Sequence, residues 1–591
     1  MGSLVIVVAL VAVWAGYKFY AGSIDRSVIM ADPNKATPAK MYNDGVDFMP
    51  ASSSVLFGYQ FKSIAALGPI VGPIVAVQWG WLPALLWLIL GVFFIGWIQD
   101  YASAVMAMRN DGLTMGGLSY KLISPRARNI LLSFLYFYLL LIMGAFGAIS
   151  AGLFGNPKVA FGFVILTLAG VLSGQMTYKW RKDLVMTTVV TVGLAVIGIW
   201  LGTLGPFQAI VDAINGGKDS FILFATPYGP MKWSVFFWGI VVLFFCYLGS
   251  VLPIWRFAQP VNYVAFWLVL FGILGGIVGV FIRGISNFPQ MPSFGDFPAF
   301  TGFMAKGIIA PGVDTPLWPI LFVTIACGAI SGWHSLVSTS GTARQLEKET
   351  DALPVGAGAM FTETIMAVLA VVFAVTAFGG YKGYMEVLTK GGGPAVVFAR
   401  GMAEYLNVLG IGKDFGLAFG SAFLVIMALT VMQLVLRFMR VASAELLGPV
   451  IPAFRNVHFG TTVGVLLTLL LMWTGFWSRI WILFGGSNQL FASLALVLIT
   501  IWLATTGKSY QWALWPAVFM YVSTVAALIV TAYVSLQAAF APGLKAAFIF
   551  GNLAAALIGF ALVILSLILA YDALQAFNKA RSSLKPAAAR V

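Results

Sequence analysis

Long apolar runs recur from one end of this sequence to the other, and they constrain its fold more than any other feature. Hydrophobic residues fill 60% of the 591 positions and charged residues only 9%, whereas soluble domains carry about 25% charged residues. The runs are continuous rather than alternating, which excludes a barrel of membrane strands. The sequence therefore predicts an all-α polytopic membrane protein with about 15 transmembrane helices, at roughly 2–21, 54–78, 82–107, 129–154, 158–175, 184–204, 233–253, 261–282, 316–338, 355–378, 414–436, 459–477, 480–505, 511–535 and 546–571.

Two of these spans are interrupted by polar or helix-breaking residues. The second contains Gly68-Pro69-Ile70-Val71-Gly72-Pro73, and the ninth runs into the Gly, Ser and Thr-rich stretch Thr324–Leu346. Such segments are costly in lipid unless protein or a cavity satisfies their backbone, and broken spans at matching places in two halves point to a transporter's binding site. We therefore predict two inverted five-helix repeats, at 53–204 and 316–506, with broken first and sixth core helices. Segments 1–52, 205–315 and 507–591 are predicted to add an N-terminal helix and loop, a two-helix insertion, and two C-terminal helices with a basic tail.

The basic residues indicate how the chain crosses the membrane. Most of the 34 Lys and Arg residues fall in the loops after odd-numbered spans and in the tail that carries Lys585 and Arg590. Loops rich in Lys and Arg stay in the cytoplasm, so we predict a cytoplasmic C-terminus and an N-terminus outside. The net charge of +14 is then a consequence of topology, and no nucleic-acid partner is predicted.

Residues at the two breaks are the candidates for substrate binding. Glycine lets a ligand reach the backbone, hydroxyl and amide groups offer hydrogen bonds, and helix ends present unpaired backbone groups. Adjacent amides after a double glycine in the thirteenth span suit hydrogen bonds either to a substrate or to unwound backbone. The predicted set is Tyr59, Gln60, Lys62, Gly68, Gly72, Gly328, Ser331, Gly332, Ser335, Ser338, Asn488 and Gln489.

Ionisable residues inside the spans are the candidates for proton coupling. His334 titrates near neutral pH when unperturbed, and buried charges such as Asp100 and Glu363 usually face a bundle interior or a water-filled cavity. An ion pair of Lys62 with Asp100 or Glu363 would have one of two functional roles, offsetting the charge of a substrate or relaying protons. Alternatively, the pair would be structural and lock the helices together. We predict H⁺ as the coupling ion, with Na⁺ as the alternative.

Other chemistries lack the residues they need. With two histidines and two cysteines in apolar runs, no metal or other cofactor is predicted. There is no phosphate-binding loop for ATP hydrolysis, and adjacent His334 and Ser335 cannot supply the geometry of a nucleophile and its base. The chain is therefore predicted not to be an enzyme.

Six short blocks resemble the carbon starvation protein A family. They are Asp44–Phe48, Phe57–Phe61, Gly68–Pro73, Gln99-Asp100, Cys327–Gln345 and Gly485–Gln489. The resemblance implies a bacterial inner-membrane transporter associated with uptake of peptides or pyruvate. The sequence also resembles the amino acid–polyamine–organocation superfamily, whose core has two inverted five-helix repeats. Tyr59 departs from the family pattern, which usually has histidine there, so a proton or metal role of that histidine does not carry over.

The sequence thus predicts a secondary active transporter that imports a small, pyruvate-like organic carboxylate or short peptides by alternating access. Membrane lipid is its only other predicted partner, and the oligomeric state stays open. The alternatives are a membrane nutrient sensor, although the loops are too short for a signalling domain, and a channel, although no ring of repeated polar residues is visible.

Overall fold

The computed structural model describes residues 1–285, 294–309 and 313–583. The predicted basic tail, with Lys585 and Arg590, lies outside these residues. The helices of eight residues or more are α1 Gly2–Ile29, α2 Ser53–Ile64, α3 Gly68–Ala76, α4 Trp81–Met108, α5 Met115–Leu122, α6 Pro125–Phe154, α7 Ala160–Lys179, α8 Leu184–Gly202, α9 Gly205–Ile214, α10 Trp233–Val251, α11 Ala258–Ile285, α12 Leu317–Thr324, α13 Gly332–Ser340, α14 Glu349–Thr376, α15 Tyr381–Lys390, α16 Gly393–Val408, α17 Lys413–Leu447, α18 Val457–Thr474, α19 Trp477–Thr505, α20 Gln511–Ala539 and α21 Ala546–Ser583.

Two small antiparallel hairpins lie in the connections between helices. They pair β1 Ile222–Thr226 with β2 Gly229–Lys232 and β3 Met304–Lys306 with β4 Asp314–Pro316. The sequence prediction contained no strands, because these segments are too short to show a period. They do not alter the helical class of the protein.

Thirteen helices in the described part of the chain are long and apolar enough to cross a membrane, or fourteen if α2 and α3 form one bent span. The sequence predicted about 15 spans, two of them broken, and the difference lies at 316–338. This span, which was predicted to be broken, consists of α12, of 8 residues, and α13, of 9 residues. At about 1.5 Å per residue, neither can cross the roughly 30 Å hydrocarbon layer alone.

Both predicted breaks are present. α2 and α3 meet at a bend of 45°, and the break lies at 65–67, before the Gly-Pro run rather than within it. Pro69 is accommodated in the first turn of α3, where a helix needs no N–H donor. The second break covers 325–331, where Gly328 adopts a φ of +85° that favours glycine.

The two broken elements lie at the centre of the bundle. α13 packs against α4 and α19, while α14 packs against α2 and α3. Every residue of α13 from Gly332 to Thr339 is buried, so the polar stretch that the sequence singled out is enclosed by protein. The inverted relation of the two halves and the bounds of the five predicted segments stay predictions.

Candidate functional site

The two breaks touch each other. A Cβ atom on Gly72 would lie 2.4 Å from the carbonyl oxygen of Thr324, and one on Gly68 would lie 2.7 Å from Cβ of Cys327. Real Cβ atoms do not approach other atoms this closely, so the absence of a side chain lets the start of α3 lie against the end of α12. The sequence therefore brings its two interrupted spans into direct contact through glycine.

The unwound segment after α12 is held by amide side chains of α19. Gln489 Nε2 donates to the carbonyl oxygens of Phe322, Ile325 and Ile330 at 3.1–3.3 Å. Asn488 Nδ2 donates to the carbonyl of Ala326, and its Oδ1 accepts the N–H of Trp333 at 3.2 Å. Of the two roles that the sequence left open for these amides, the structure shows hydrogen bonds to unwound backbone.

Asn488→Ala should therefore lower the free energy of unfolding by about 2 kcal/mol or more, because it leaves buried backbone groups without partners. Thermal unfolding in detergent measures the loss. Thr500→Val in the same helix is the control, since the Thr500 hydroxyl donates to the carbonyl of Leu496 one turn earlier. Equal unfolding temperatures for the two variants would contradict this role of Asn488.

Three ionisable side chains from three helices meet beside the breaks. His334 Nδ1 lies 2.9 Å from Asp100 Oδ2, and His334 Nε2 lies 3.1 Å from Glu363 Oε2; all three side chains are fully buried. Cys327 Sγ lies 3.3 Å from the same Nε2 atom. The imidazole thus connects two carboxylates, and a proton can be shared among the three groups. We call Asp100, His334 and Glu363 the central triad.

Polar residues of α2 extend this network. Gln60 Nε2 donates to Asp100 Oδ1 at 2.6 Å and to Ser338 Oγ at 3.1 Å. The predicted ion pair of Lys62 with Asp100 or Glu363 is not formed: within the described residues Lys62 has no carboxylate oxygen within 4.0 Å. Its Nζ instead donates to the carbonyl of Ala65 at 2.9 Å, because the end of α2 leaves carbonyl groups unpaired.

Cys327 Sγ, His334 Nε2 and an oxygen of Glu363 lie within 4.8 Å of one another, a spacing that would also suit metal donors. Nε2 lies 3.1 Å from Glu363 Oε2 and 3.3 Å from Cys327 Sγ, distances that equally suit a shared proton. That the protein holds no metal stays a prediction.

A cavity of about 580 Å³ reaches the breaks from one end of the bundle. Leu67, Gly68, Thr324 and Ala326 line it at the breaks, and aromatic side chains including Phe146, Trp477, Trp481 and Phe484 line its walls. No charged side chain is among its lining residues. Because Gly68 packs on Cys327, the central triad lies just beyond the lining of this cavity.

The opposite end of the bundle is closed. The N–H of Ala51 donates to the carbonyl of Gln345 at 2.9 Å, which ties the chain before α2 to the chain after α13. Asp47, in the same connection, accepts from Arg437 Nη2 at 2.6 Å. Burial alone would raise the pKa of the Asp47 carboxyl, but Arg437 and the neighbouring arginines Arg440 and Arg344 hold that pKa below its usual value of 3.8.

Asp47→Asn should lower the free energy of unfolding by about 2 kcal/mol, because Arg437 loses its charged acceptor. A lowered pKa means that the ionised carboxylate stabilises the fold above pH 3.8 and loses this effect as the pH falls through the folded-state pKa. The difference between wild type and variant should thus be constant from about pH 8 to about pH 5. Thermal unfolding across this range measures it, with exposed Asp219→Asn as the control; a difference that shrinks towards pH 5 would contradict the assignment.

The pattern of the family described as carbon starvation protein CstA matches residues 1–387 and 382–527. The chain belongs to the CstA family. It is therefore a multi-pass protein of a membrane transporter family and not an enzyme, as the sequence predicted.

Individual relatives agree with this membership. The chain is 29% identical to the peptide transporter CstA of Campylobacter jejuni over 603 residues, covering 89% of this chain and 80% of that one. It is 28% identical to the pyruvate/proton symporter BtsT of Escherichia coli over 609 residues, with 89% and 81% covered. Two solved structures also align. A mutant of the Eremococcus coleocola manganese transporter is 11% identical with a TM-score of 0.43, and the alignment covers 91% of this chain and 99% of that one. MhsT in complex with L-phenylalanine is 14% identical with a TM-score of 0.43, and the alignment covers 89% of this chain and 99% of that one.

Blocks that carried the CstA resemblance also contain residues whose roles the sequence analysis missed. Gln99 Nε2 donates to the carbonyl of Ala492 at 2.7 Å, and its Oε1 accepts the N–H of Ser331. Cys327, which the sequence analysis noted only as a cysteine in an apolar run, contacts His334. An amide next to a carboxylate within an apolar span was the signal for Gln99, because such groups need a buried partner.

The remaining predicted residues lie around the same centre. Tyr59, Ser335 and Ser338 are fully buried, and Tyr59 packs against Gly341. Gly332 lies where a Cβ would meet the carbonyl oxygen of Asn488 at 2.4 Å, so it serves helix packing. Gly68 and Gly72 are the predicted binding residues that line the cavity.

Proposed function

We propose that this protein is a proton-coupled secondary active transporter that imports short peptides or a small organic carboxylate by alternating access. The observation that carries the proposal is the fully buried central triad next to two touching helix breaks. Buried ionisable groups in a membrane bundle are costly and mark ion or substrate pathways. Broken helices at the centre of a bundle supply the free backbone groups that bind substrates in transporters.

The position of Lys62 favours protons over sodium as the coupling ion. The carbonyl groups at the end of a broken helix are the usual place for a bound cation. At the end of α2 the ammonium group of Lys62 already takes that place, since it donates to Ala65. In this proposal Lys62 offsets the charge of the substrate carboxylate from beyond the lining of the cavity, and Asp100, His334 and Glu363 exchange the coupling proton.

The cavity supports short peptides ahead of a pyruvate-like acid. Ligand sites generally measure about 300–1,000 Å³, and about 580 Å³ lined by aromatic and aliphatic groups exceeds what a three-carbon acid fills. Relatives carry the names peptide transporter and pyruvate/proton symporter, so both substrate classes belong to the test.

The open cavity and the closed opposite end correspond to one state of an alternating-access cycle. With the predicted topology in a bacterial inner membrane, N-terminus outside and C-terminus in the cytoplasm, the cavity opens outwards. The contact of Asp47 with Arg437 then closes the cytoplasmic end. Import requires this end to open after the substrate binds, which is the transition proposed for the cycle.

Uptake by purified protein in liposomes tests the proposal. We expect labelled short peptides to accumulate when the vesicle interior is alkaline, and replacing potassium by sodium at equal pH should have no effect. Uptake no faster than in empty vesicles, for peptides and for pyruvate, would overturn the proposal. Substrate binding without counterflow would support a sensor instead, and conductance far above carrier turnover would support a channel.

Gly152→Phe should block peptide uptake by filling the cavity. Gly152 lines the cavity, and a Cβ there meets no atom within 4 Å, so the aromatic ring occupies space that the substrate needs without disturbing the helix. Gly193→Phe in α8 is the matched control, because Gly193 also has no neighbour within 4 Å and does not line the cavity. Equal uptake by the two variants would show that substrates take another route.

A further inference from the structure

Arg440 is a buried cation without a hydrogen-bond acceptor of its own. It lies one turn after Arg437 in α17, and its side chain is only 10% exposed. Arg437 donates hydrogen bonds to Oδ1 of Asp47 and to the carbonyls of Gly249 and Leu252. Arg440 Nη2 lies 4.0 Å from Asp47, too far for a hydrogen bond, and within the described residues its guanidinium forms none.

This guanidinium lines a second cavity, of about 320 Å³, between the last turns of α17 and the connection to α18. Arg455 lines the cavity from the other side, with Phe454 beside it. Arg455 donates through Nε to the carbonyl of Gly448 at 3.0 Å, which fixes its side chain. Two arginines thus line one cavity, an arrangement suited to oxyanions such as phosphate.

Local acidic groups offset these cations only in part. Asp47 is shared between Arg437 at 2.6 Å and Arg440 at 4.0 Å. The carboxylate of Glu445, which also lines the cavity, accepts from the Thr114 hydroxyl at 2.8 Å and has no Lys or Arg nitrogen within 4.0 Å among the described residues. A buried charge that is only partly paired is costly, so the surplus positive charge of Arg440 favours an anion that the described residues do not supply.

The rim of the cavity indicates where the anion comes from. Val450 is 80% exposed, and Ile451, Val457 and Phe459 are 37–44% exposed, so apolar side chains flank the guanidinium groups at one end of the membrane-spanning bundle. A free anion makes no favourable contact with these apolar side chains, whereas the acyl chains of a lipid can pack against them. Basic pockets between helices near the membrane surface match lipid headgroups in the same way.

We propose that Arg440 and Arg455 bind the phosphate of an anionic phospholipid at this end of the bundle. The phosphate accepts from both guanidinium groups, and the acyl chains lie along Val450, Ile451 and Phe459. The lipid then bridges α17, which also carries Arg437 of the closed end, to the connection that leads into α18. This site is independent of the central triad and of the proposed transport function.

Binding of phosphatidylglycerol to the full-length protein in a neutral detergent tests the proposal, with native mass spectrometry and thermal unfolding as readouts. Wild type should retain this lipid and gain a higher unfolding temperature with it, more than with phosphatidylcholine. Each of Arg440→Gln and Arg455→Gln should weaken the apparent affinity roughly fivefold. Arg581→Gln, an exposed arginine in α21 far from the cavity in sequence, is the charge-matched control and should bind as wild type does.

Three results would overturn the proposal. They are equal phosphatidylglycerol affinity in wild type and the two cavity variants, equal weakening by Arg581→Gln, and stabilisation by inorganic phosphate as large as that by the lipid, which would assign a free anion instead. If Arg440→Gln does not fold, exposed Arg455→Gln by itself decides between these outcomes. None of the readouts depends on transport, so failure here and failure of the proposed function are distinguishable.

Discussion

Glu363→Gln should abolish uptake driven by a pH gradient while leaving the protein folded. The Glu363 carboxylate is fully buried, and its Oε2 lies 3.1 Å from His334 Nε2. Glutamine has the same shape but cannot take up or release a proton. Proteoliposome uptake with an alkaline interior should therefore fall to the level of empty vesicles, and thermal unfolding in detergent should change little.

Glu404→Gln is the matched control for this prediction. Glu404 pairs with exposed Lys413 at 2.8 Å away from the central triad, so its loss should leave uptake unchanged. His334→Ala should also abolish uptake, but it leaves Asp100 and Glu363 without the group between them and should cost about 3–5 kcal/mol of stability. Wild-type pH dependence in Glu363→Gln would remove the triad from the coupling mechanism.

Gly72→Ala should abolish uptake through a different cause. The added methyl group would lie 2.4 Å from the carbonyl oxygen of Thr324 and 3.2 Å from Cα of Ile325. Both are backbone atoms and cannot rotate away, so α3 must move from α12 and the contact between the two breaks is lost. We expect a loss of about 1–3 kcal/mol in stability together with loss of uptake in proteoliposomes.

Gly193→Ala provides the comparison for Gly72→Ala. It makes the same change in a helix where no atom lies within 4 Å of the new Cβ, and alanine is the better helix former by about 1 kcal/mol. Its stability should equal or exceed that of wild type, with uptake unchanged. Wild-type uptake by Gly72→Ala would show that the contact between the breaks is not needed for transport.

Much of the architecture could be predicted because it depends on local composition. Apolar runs identified the spanning helices, and clustered Gly, Pro and Ser identified both breaks. The lower span count has the same origin: hydropathy counts apolar residues along 316–338 and does not register that α12 and α13, on either side of the predicted break, are each too short to cross. The first break was predicted within the Gly-Pro run of α3 but lies just before it. Proline ends a helix that precedes it, but it suits the first turn of a helix that follows.

Side-chain partners could not be predicted in the same way. Lys62 was expected to pair with a carboxylate but bonds the carbonyl of Ala65, because the pairing depends on how far each helix is rotated and how its neighbours pack. Asn488 and Gln489 are likewise directed at a segment more than 150 residues earlier. Sequence spacing carries no information about such contacts between helices.

The sequence by itself determined that the chain spans a membrane, that two of its helices are broken, and that His334, Asp100 and Glu363 are buried ionisable groups. These are properties of composition, since the cost of placing charge and unpaired backbone in lipid does not depend on the fold. Only the tertiary structure decided that His334 lies between the two carboxylates and that glycine brings the breaks into contact. Helices α4, α13 and α14 must pack at fixed rotations before a single imidazole can touch both carboxylates.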